Sequence, residues 1–479
     1  MDPNTPNTDV DRAERMEASC SQERPPTATR RGPHSRDTHH YGGTVDILKT
    51  TLDNGLTVIL KEAHTAPVAS FWIWYRVGSG KEHLGITGIS HWVEHMLFKG
   101  TPRWPKGTAD KAISREGGVW NGATWYDFTT YYATLPAERI ELELEIEADR
   151  MTGALFEPQE VEAERTVIIS ERQGAENDPL FLLGEEVMAA AFRVHPYGHE
   201  TLGHLCDLEG MTRDDLYRHY RTYYVPNNAV AVAVGDFEPG RMLEPIRKHF
   251  GPIPAGELPN PREPVEPDQR GERRVVLEGE GNTAYLTLVF HTPPAVDPDF
   301  YPLVVLDSVL TGASGMTIFG GGTTNKSSRL YRALVDTELA TQVAGSLIPT
   351  VDPFVYSLTA TVRSGHTPAE VEERLWMELE RTAKKPITEE ELAKAIKQAK
   401  AQFAYSSESV TGQAFWMGWS EIFADYTWFE RYLERLSAVT LEDVRRAAER
   451  YLRRSNSTVG WYVPTAMNDE PMSQLVIVH

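Results

Sequence analysis

Two histidines and a glutamate lie close together in the segment His91-Trp92-Val93-Glu94-His95. Histidines four residues apart share one face of an α-helix, because each turn takes 3.6 residues. Imidazole nitrogen is a common zinc ligand, and a catalytic zinc takes three protein ligands and a water molecule. Glu94 lies on the same side, where its carboxylate could accept a proton from that water. The spacing H-x-x-E-H therefore indicates metal-dependent hydrolysis.

The flanking residues predict that this segment is an amphipathic helix. Apolar side chains recur at core-facing spacing on the opposite face: Ile89, Trp92, Val93, Met96 and Leu97. A solvated helix rich in histidine would show the same short motif, so the motif alone is only suggestive. A third ligand of the right chemical type is needed.

A second predicted helix contains three candidate ligands. Residues 157–171 have a helical pattern with Pro158 in the first turn. Glu160, Glu164 and Glu171 lie along one stripe of this helix, although an ordinary solvated face would also carry such glutamates. Spacing alone leaves open which of the three reaches a metal.

The run from Gly88 to Thr101 resembles the active-site helix of the pitrilysin/insulinase family of zinc peptidases. It is especially similar to the mitochondrial-processing-peptidase type and its bacterial relatives. The further matching segments are Gly117-Gly118, Asn121-Gly122-Ala123-Thr124, residues 127–132, His195-Pro196-Tyr197-Gly198 and residues 224–228. The resemblance covers about residues 44–479.

The resemblance implies one zinc ion per chain, bound by His91, His95 and Glu171. It further implies that Glu94 is the general base and that Glu164 is a supporting acid, which orients a ligand or the base. A substrate peptide would add as an extra strand to an edge strand formed by Asn121, Gly122, Ala123 and Thr124. On this hypothesis the chain is a zinc metalloendopeptidase that cuts unfolded peptides.

An internal repeat divides the chain into two halves. The residues that recur at a constant offset of 228 are Thr212 and Thr440, Asp215 and Asp443, Leu216 and Val444, Tyr223 and Tyr451, and Asn228 and Asn456. In both copies a threonine is placed to cap a helix that leads into a final strand. The helix of residues 301–310 corresponds to the histidine helix but contains no histidine, which places the metal motif in the first half only.

The predicted fold class is α+β, with two homologous halves that each contain an antiparallel-type sheet with packed helices. The resemblance implies that the halves face each other as a clam-shell. The predicted divisions are a disordered tail (1–43), a zinc-binding catalytic domain (44–251), a Pro-rich linker (252–271) and a second domain without a metal site (272–479).

Composition narrows the class of protein. The chain has 479 residues, 41% of them hydrophobic, and a net charge of −21, so a globular protein of two or more domains is expected. The two cysteines, Cys20 and Cys206, are predicted to be free thiols. With no apolar run of roughly 20 residues and no recognisable signal peptide, we expect a cytoplasmic protein without membrane insertion or nucleic-acid partners.

One departure from the family pattern concerns the second half. Family members that act alone carry an arginine and a tyrosine seven residues apart, which bind substrate and stabilise the tetrahedral intermediate. Those positions align here with Leu334 and Thr341. The resemblance therefore predicts a homologous partner subunit that supplies both groups, as in a heterodimeric processing peptidase. Two alternatives remain: local substitution by Arg329, Tyr331, Arg332, Tyr356 or Arg363, and a non-catalytic scaffold or assembly subunit of the same fold.

Overall fold

The computed structural model describes residues 47–260, 264–313, 315–316, 326–385 and 387–465. The predicted tail with Cys20 lies outside these residues, whereas Cys206 is an exposed free thiol. Within the described part of the chain, no helix is both long enough and apolar enough to cross a membrane.

The first half contains a six-stranded sheet in the order β1-β2-β6-β3-β5-β4. Its strands are β1 (Ile47–Thr51), β2 (Thr57–Glu62), β3 (Val68–Tyr75), β4 (Val119–Thr124), β5 (Thr129–Pro136) and β6 (Ala229–Gly235). Neighbouring strands are antiparallel except for the parallel pair of β2 and β6. Strand β4 lies at the edge of this sheet, so one of its sides has no strand partner among the described residues.

The second half contains a five-stranded sheet in the order β7-β11-β8-β10-β9. Its strands are β7 (Arg273–Gly279), β8 (Tyr285–Thr292), β9 (Ala340–Leu347), β10 (Phe354–Val362) and β11 (Ser457–Pro464). Strands β7 and β11 are parallel, and the other pairs are antiparallel. The α+β class with two similar halves is confirmed. Each sheet is largely antiparallel, as predicted, but includes one parallel pair.

Helices surround both sheets. In the first half they are α1 (Ile89–Met96), α2 (Thr108–Arg115), α3 (Glu141–Gly153), α4 (Pro158–Ala175), α5 (Pro179–Ala191), α6 (Leu205–Gly210), α7 (Arg213–Tyr223) and α8 (Pro239–Phe250). In the second half they are α9 (Phe300–Leu310), α10 (Pro368–Lys384), α11 (Glu389–Ser406), α12 (Val410–Phe423), α13 (Thr427–Ser437) and α14 (Leu441–Tyr451). Residues 331–335 form one turn of π-helix.

The internal repeat has the local structure that its residues predict. Thr212 and Thr440 each accept a hydrogen bond from the backbone N–H three residues later. The carboxylates of Asp215 and Asp443 in turn accept one from the N–H of these threonines, so both helices begin with a complete capping box. A short 3₁₀ turn and then a central strand, β6 or β11, follow in each copy. The repeat is therefore a repeat of structure as well as of sequence.

The two halves exchange a helix. Helix α5 of the first half packs on β11, β7 and β8 of the second sheet, and α12 of the second half packs on β3 and β6 of the first sheet. Glycine permits the close approach in both places. A Cβ atom at Gly418 would lie 2.0 Å from Nε1 of Trp74, and one at Gly460 would lie 2.2 Å from a methyl carbon of Val187. Each sheet therefore completes its apolar packing with a helix from the other half.

This exchange predicts that the halves stay associated when the chain between them is cut. A specific protease site inserted after Leu258 removes the covalent link but leaves the packing of Trp74, Phe415 and Trp419 intact. We expect the two fragments to co-elute in size-exclusion chromatography after cleavage and to separate only in denaturant. Separation in native buffer would show that the exchanged helices do not hold the halves together.

Candidate active site

Helix α1 places the motif residues as its apolar pattern predicts. Trp92, Val93 and Met96 are fully buried against the first sheet, whereas His91 and His95 are partly exposed on the other face. Arg165 of α4 lies over the Trp92 ring at 4.7 Å and donates hydrogen bonds to backbone carbonyls near α6. Helix α1 therefore packs against α4 and α7 as well as against β4 and β5 of the sheet.

The structure brings His91, His95 and Glu171 together. Their nitrogen and oxygen donors lie within 4.8 Å of one another, and Oε2 of Glu171 is 3.7 Å from Nε2 of each histidine. Zinc bonds of about 2.0–2.2 Å in a tetrahedron require ligand atoms roughly 3.3–3.6 Å apart. Burial and the neighbouring His95 lower the pKa of His91 to about 3, so this imidazole is neutral at pH 7 and can donate its lone pair. The donor set fits zinc.

The three glutamates of α4 have different surroundings. Glu164 is buried and accepts a hydrogen bond of 2.9 Å from Nδ1 of His95, which leaves Nε2 of that ring for a metal. Lys99 forms a close ion pair with the other oxygen of Glu164. Glu160 instead pairs with Lys106 at 2.6 Å. Only Glu171 of the three faces both histidines.

Glu94 is a buried carboxylate, and no basic side chain of the described residues forms a hydrogen bond or ion pair with it. Its Oε2 accepts a hydrogen bond of 2.6 Å from the Thr124 hydroxyl, and the exposure of the residue is only 7%. Burial raises the pKa of Glu94 to about 7, whereas the bond from Thr124 and the nearby His95 oppose this rise. A carboxylate with a pKa in this range can both accept and return a proton near neutral pH. A cation bound by the donor set would lower the value.

The candidate substrate strand runs directly past Glu94. A Cβ atom at Gly122 would lie 3.0 Å from Oε1 of Glu94 and 3.2 Å from the Phe98 ring, so glycine lets the strand pass close to the carboxylate. The exposed Asn121 accepts a hydrogen bond from the Gly122 N–H through its own side chain. Ala123 and Thr124 complete the strand.

Thr124 has a contact that sequence reasoning did not assign. The resemblance places it among substrate-binding residues, but its hydroxyl is the group that fixes the Glu94 carboxylate. Thr124 is 30 residues from Glu94 in the chain, and no local spacing links the two.

The second half has leucine and threonine at the two positions where family members that act alone carry an arginine and a tyrosine. Leu334 is fully buried in the core, and Thr341 lies on the edge strand β9 with an exposed side chain. Four of the five candidate substitutes already have partners. Arg329 donates to both oxygens of Glu391, and the buried Tyr356 donates to Asp307 at 2.8 Å. Arg332 donates to the Ser327 carbonyl at 2.8 Å, and Arg363 pairs with Glu338 at 3.6 Å, but both of these arginines are exposed. Tyr331, Arg332 and Arg363 therefore remain as candidates for local substitution.

Family models match most of the chain. Residues 57–204 match the model described as insulinase (peptidase family M16), and residues 210–399 match the model of the peptidase M16 inactive domain. The chain belongs to peptidase family M16. The second match agrees with a second half that carries no metal motif.

Named relatives come from bacteria and from mitochondria. The chain is 29% identical to the zinc protease PqqE of Helicobacter pylori over 86% of this chain and 92% of that protein. It is 25% identical to the beta subunit of the mitochondrial-processing peptidase of Lentinula edodes over 84% and 87% of the two chains. The crystal structure of a protease from Helicobacter pylori superposes with a TM-score of 0.82 at 27% identity, over 88% of this chain and 100% of that one.

Proposed function

We propose that this M16 protein is a zinc-dependent endopeptidase and the catalytic subunit of a two-subunit enzyme. One observation carries the proposal: a buried carboxylate, a metal donor set and the free edge of a sheet lie side by side. Glu94 contacts Thr124 of the edge strand and stands on the same helix as His91 and His95. A scaffold protein has no physical need for such a carboxylate beside two histidines.

Each site residue has its own role in the proposed hydrolysis. One zinc ion held by His91, His95 and Glu171 would polarise the scissile carbonyl and activate water. Glu94 accepts the proton of the attacking water and then returns it to the leaving amine. Glu164 keeps the His95 ring oriented through Nδ1, and Thr124 keeps the Glu94 carboxylate turned toward the strand.

The edge strand indicates the physical form of the substrate. A peptide can add to β4 through backbone hydrogen bonds only when it is extended, which excludes a folded helix or a closed domain. Residues 121–124 pair with β5 on one side and leave the other side for such a peptide. We therefore propose unfolded peptides as the substrate class.

The buried Leu334 and the exposed Thr341 support the partner subunit. Neither side chain can donate a hydrogen bond with the strength of a guanidinium or a phenol to a developing oxyanion. Homodimerisation would repeat the same deficit, because each copy carries the same residues. A homologous subunit with its own arginine and tyrosine would complete the site.

A peptide-cleavage assay tests the proposed function. We expect the chain, incubated with its partner, to cleave an unstructured, internally quenched peptide, to lose this activity with a zinc chelator and to regain it with added zinc. A small folded protein that is cross-linked by disulfide bonds should resist cleavage. Cleavage that persists after chelation and dialysis would contradict a metal-dependent mechanism.

A further inference from the structure

A buried carboxylate outside the active site contacts the start of the metal-binding helix. The Glu82 side chain is 0% exposed, and both of its oxygens accept backbone hydrogen bonds. Oε2 takes the N–H of Gly88 and Oε1 takes the N–H of Ser90, each at 2.8 Å. These amides belong to the first turn of α1, where backbone N–H groups have no partner within the helix.

Gly88, the N-cap residue of α1, cannot accept these hydrogen bonds with its own side chain. Gly88 has no side-chain oxygen, and its φ of +86° is a left-handed conformation that favours glycine. A Cβ atom at Gly88 would lie 2.7 Å from the Leu202 carbonyl oxygen and 3.0 Å from Cα of Gly203. A serine or aspartate cap would therefore collide with the neighbouring loop. The cap must come from elsewhere, and Glu82 supplies it.

A second carboxylate fixes the loop just before the helix. Oδ2 of Asp207 accepts hydrogen bonds from the Gly85 N–H, the Thr87 N–H and the Thr87 hydroxyl. The preceding residues are also tied down, because the N–H groups of Ser79 and Gly80 donate to backbone carbonyls in the turn after β4. Glu82 therefore joins a fixed loop to the start of α1.

The corresponding helix of the second half begins differently. Helix α9 occupies the place that α1 has in the first half, and its N-cap is Asp299, which pairs with Arg446 and Arg450. The residue six positions before that N-cap is Pro293, where the first half has Glu82. The N–H of Asp299 donates to the nearby Asp297 side chain at 2.8 Å, so among the described residues α9 has a local carboxylate at its start where α1 has the more distant Glu82.

We propose that Glu82 is a positioning residue, which fixes the register of α1 so that His91 meets His95 and Glu171. His91 directly follows Ser90, so a slip in the first turn displaces it by about 1.5 Å and 100° per residue. Metal ligands tolerate only about 0.2 Å. His95 is one turn further on and has its own anchor in Glu164. Loss of the Glu82 carboxylate should therefore displace His91 more than His95. This inference rests on the proposed function.

The test measures zinc affinity, which does not depend on the partner or on peptide cleavage. We expect Glu82→Ala to weaken zinc binding about 10- to 100-fold in competition with a chromogenic chelator. Glu82→Gln keeps one acceptor oxygen and the size of the side chain, and its affinity should lie between those of Glu82→Ala and the wild type. With the partner present, kcat should fall in the same order while KM for the peptide stays near its wild-type value, since β4 is untouched.

A matched control separates positioning from general stability. Thr440 caps α14 in the second half, far along the chain from the donor set, through a bond from the Asp443 N–H. Thr440→Ala should lower the melting temperature and leave the zinc affinity unchanged. Wild-type zinc affinity in both Glu82 variants would overturn the positioning role and leave the proposed function standing. A wild-type chain that binds no zinc would overturn both. If Glu82→Ala fails to fold, Glu82→Gln decides between these outcomes.

Discussion

Replacing Glu94 with glutamine should lower kcat by about 10²- to 10⁴-fold, the range that general acid–base catalysis contributes. Glutamine has the same shape and can still accept the hydrogen bond from Thr124, but it cannot take a proton from water. The zinc content should stay at the wild-type level, because Glu94 is not one of the three donors. Steady-state kinetics with the quenched peptide, with partner present, measure the effect.

Thr124 provides a graded control for the same group. Thr124→Val removes the hydroxyl that holds Oε2 of Glu94 and keeps the shape of the side chain, whereas Thr124→Ser keeps the hydroxyl. A lost hydrogen bond to a charged group corresponds to about 1.5–3 kcal/mol. We expect kcat to fall about 10- to 100-fold in the valine variant and to stay near wild type in the serine variant. Full activity in Glu94→Gln would refute the assignment of the base.

The second large effect is the requirement for a partner. The chain alone should turn over the quenched peptide at a rate at least about 100-fold below that of the complex, since loss of one comparable oxyanion donor costs 10²–10³ in kcat. Addition of a homologous subunit that carries the arginine and tyrosine should restore the rate. A partner variant with leucine and threonine at those two positions is the matched control and should fail to restore it.

Local substitution predicts a different result. In that case the chain alone shows robust zinc-dependent turnover, and one of the variants Tyr331→Phe, Arg332→Ala or Arg363→Ala abolishes it. Arg329 and Tyr356 are poor candidates, because Glu391 and Asp307 already engage their donors. An Arg introduced at Leu334 would not repair the site, because that side chain is fully buried and the new charge would lack a partner.

Local patterns in the sequence predicted the helices that carry the candidate site. The apolar spacing around Trp92 gives the buried face of α1, and Pro158 is the first residue of α4, as expected for proline at a helix start. Thr212 and Thr440 are the predicted N-caps. These features depend on residues within one or two turns, which is the range over which a single sequence is informative.

Features that depend on distant parts of the chain could not be read in this way. Spacing could not choose among Glu160, Glu164 and Glu171, because the choice depends on where Lys106 and the His95 ring lie. The exchange of α5 and α12 could not be predicted from the sequence either, since an apolar helix face does not reveal which sheet covers it. Glu82 caps α1 from outside the usual capping spacing, so its role appears only once the loop is folded.

The zinc content of the purified chain tests the central claim most directly. After chelation and reconstitution, elemental analysis should find about one zinc ion per chain in the wild type and in Glu94→Gln. His91→Ala and His95→Ala should lose the metal, whereas Glu160→Ala should keep it, because Glu160 lies against Lys106 rather than the histidines. A wild-type chain without bound zinc, or full zinc occupancy in both histidine variants, would contradict the account.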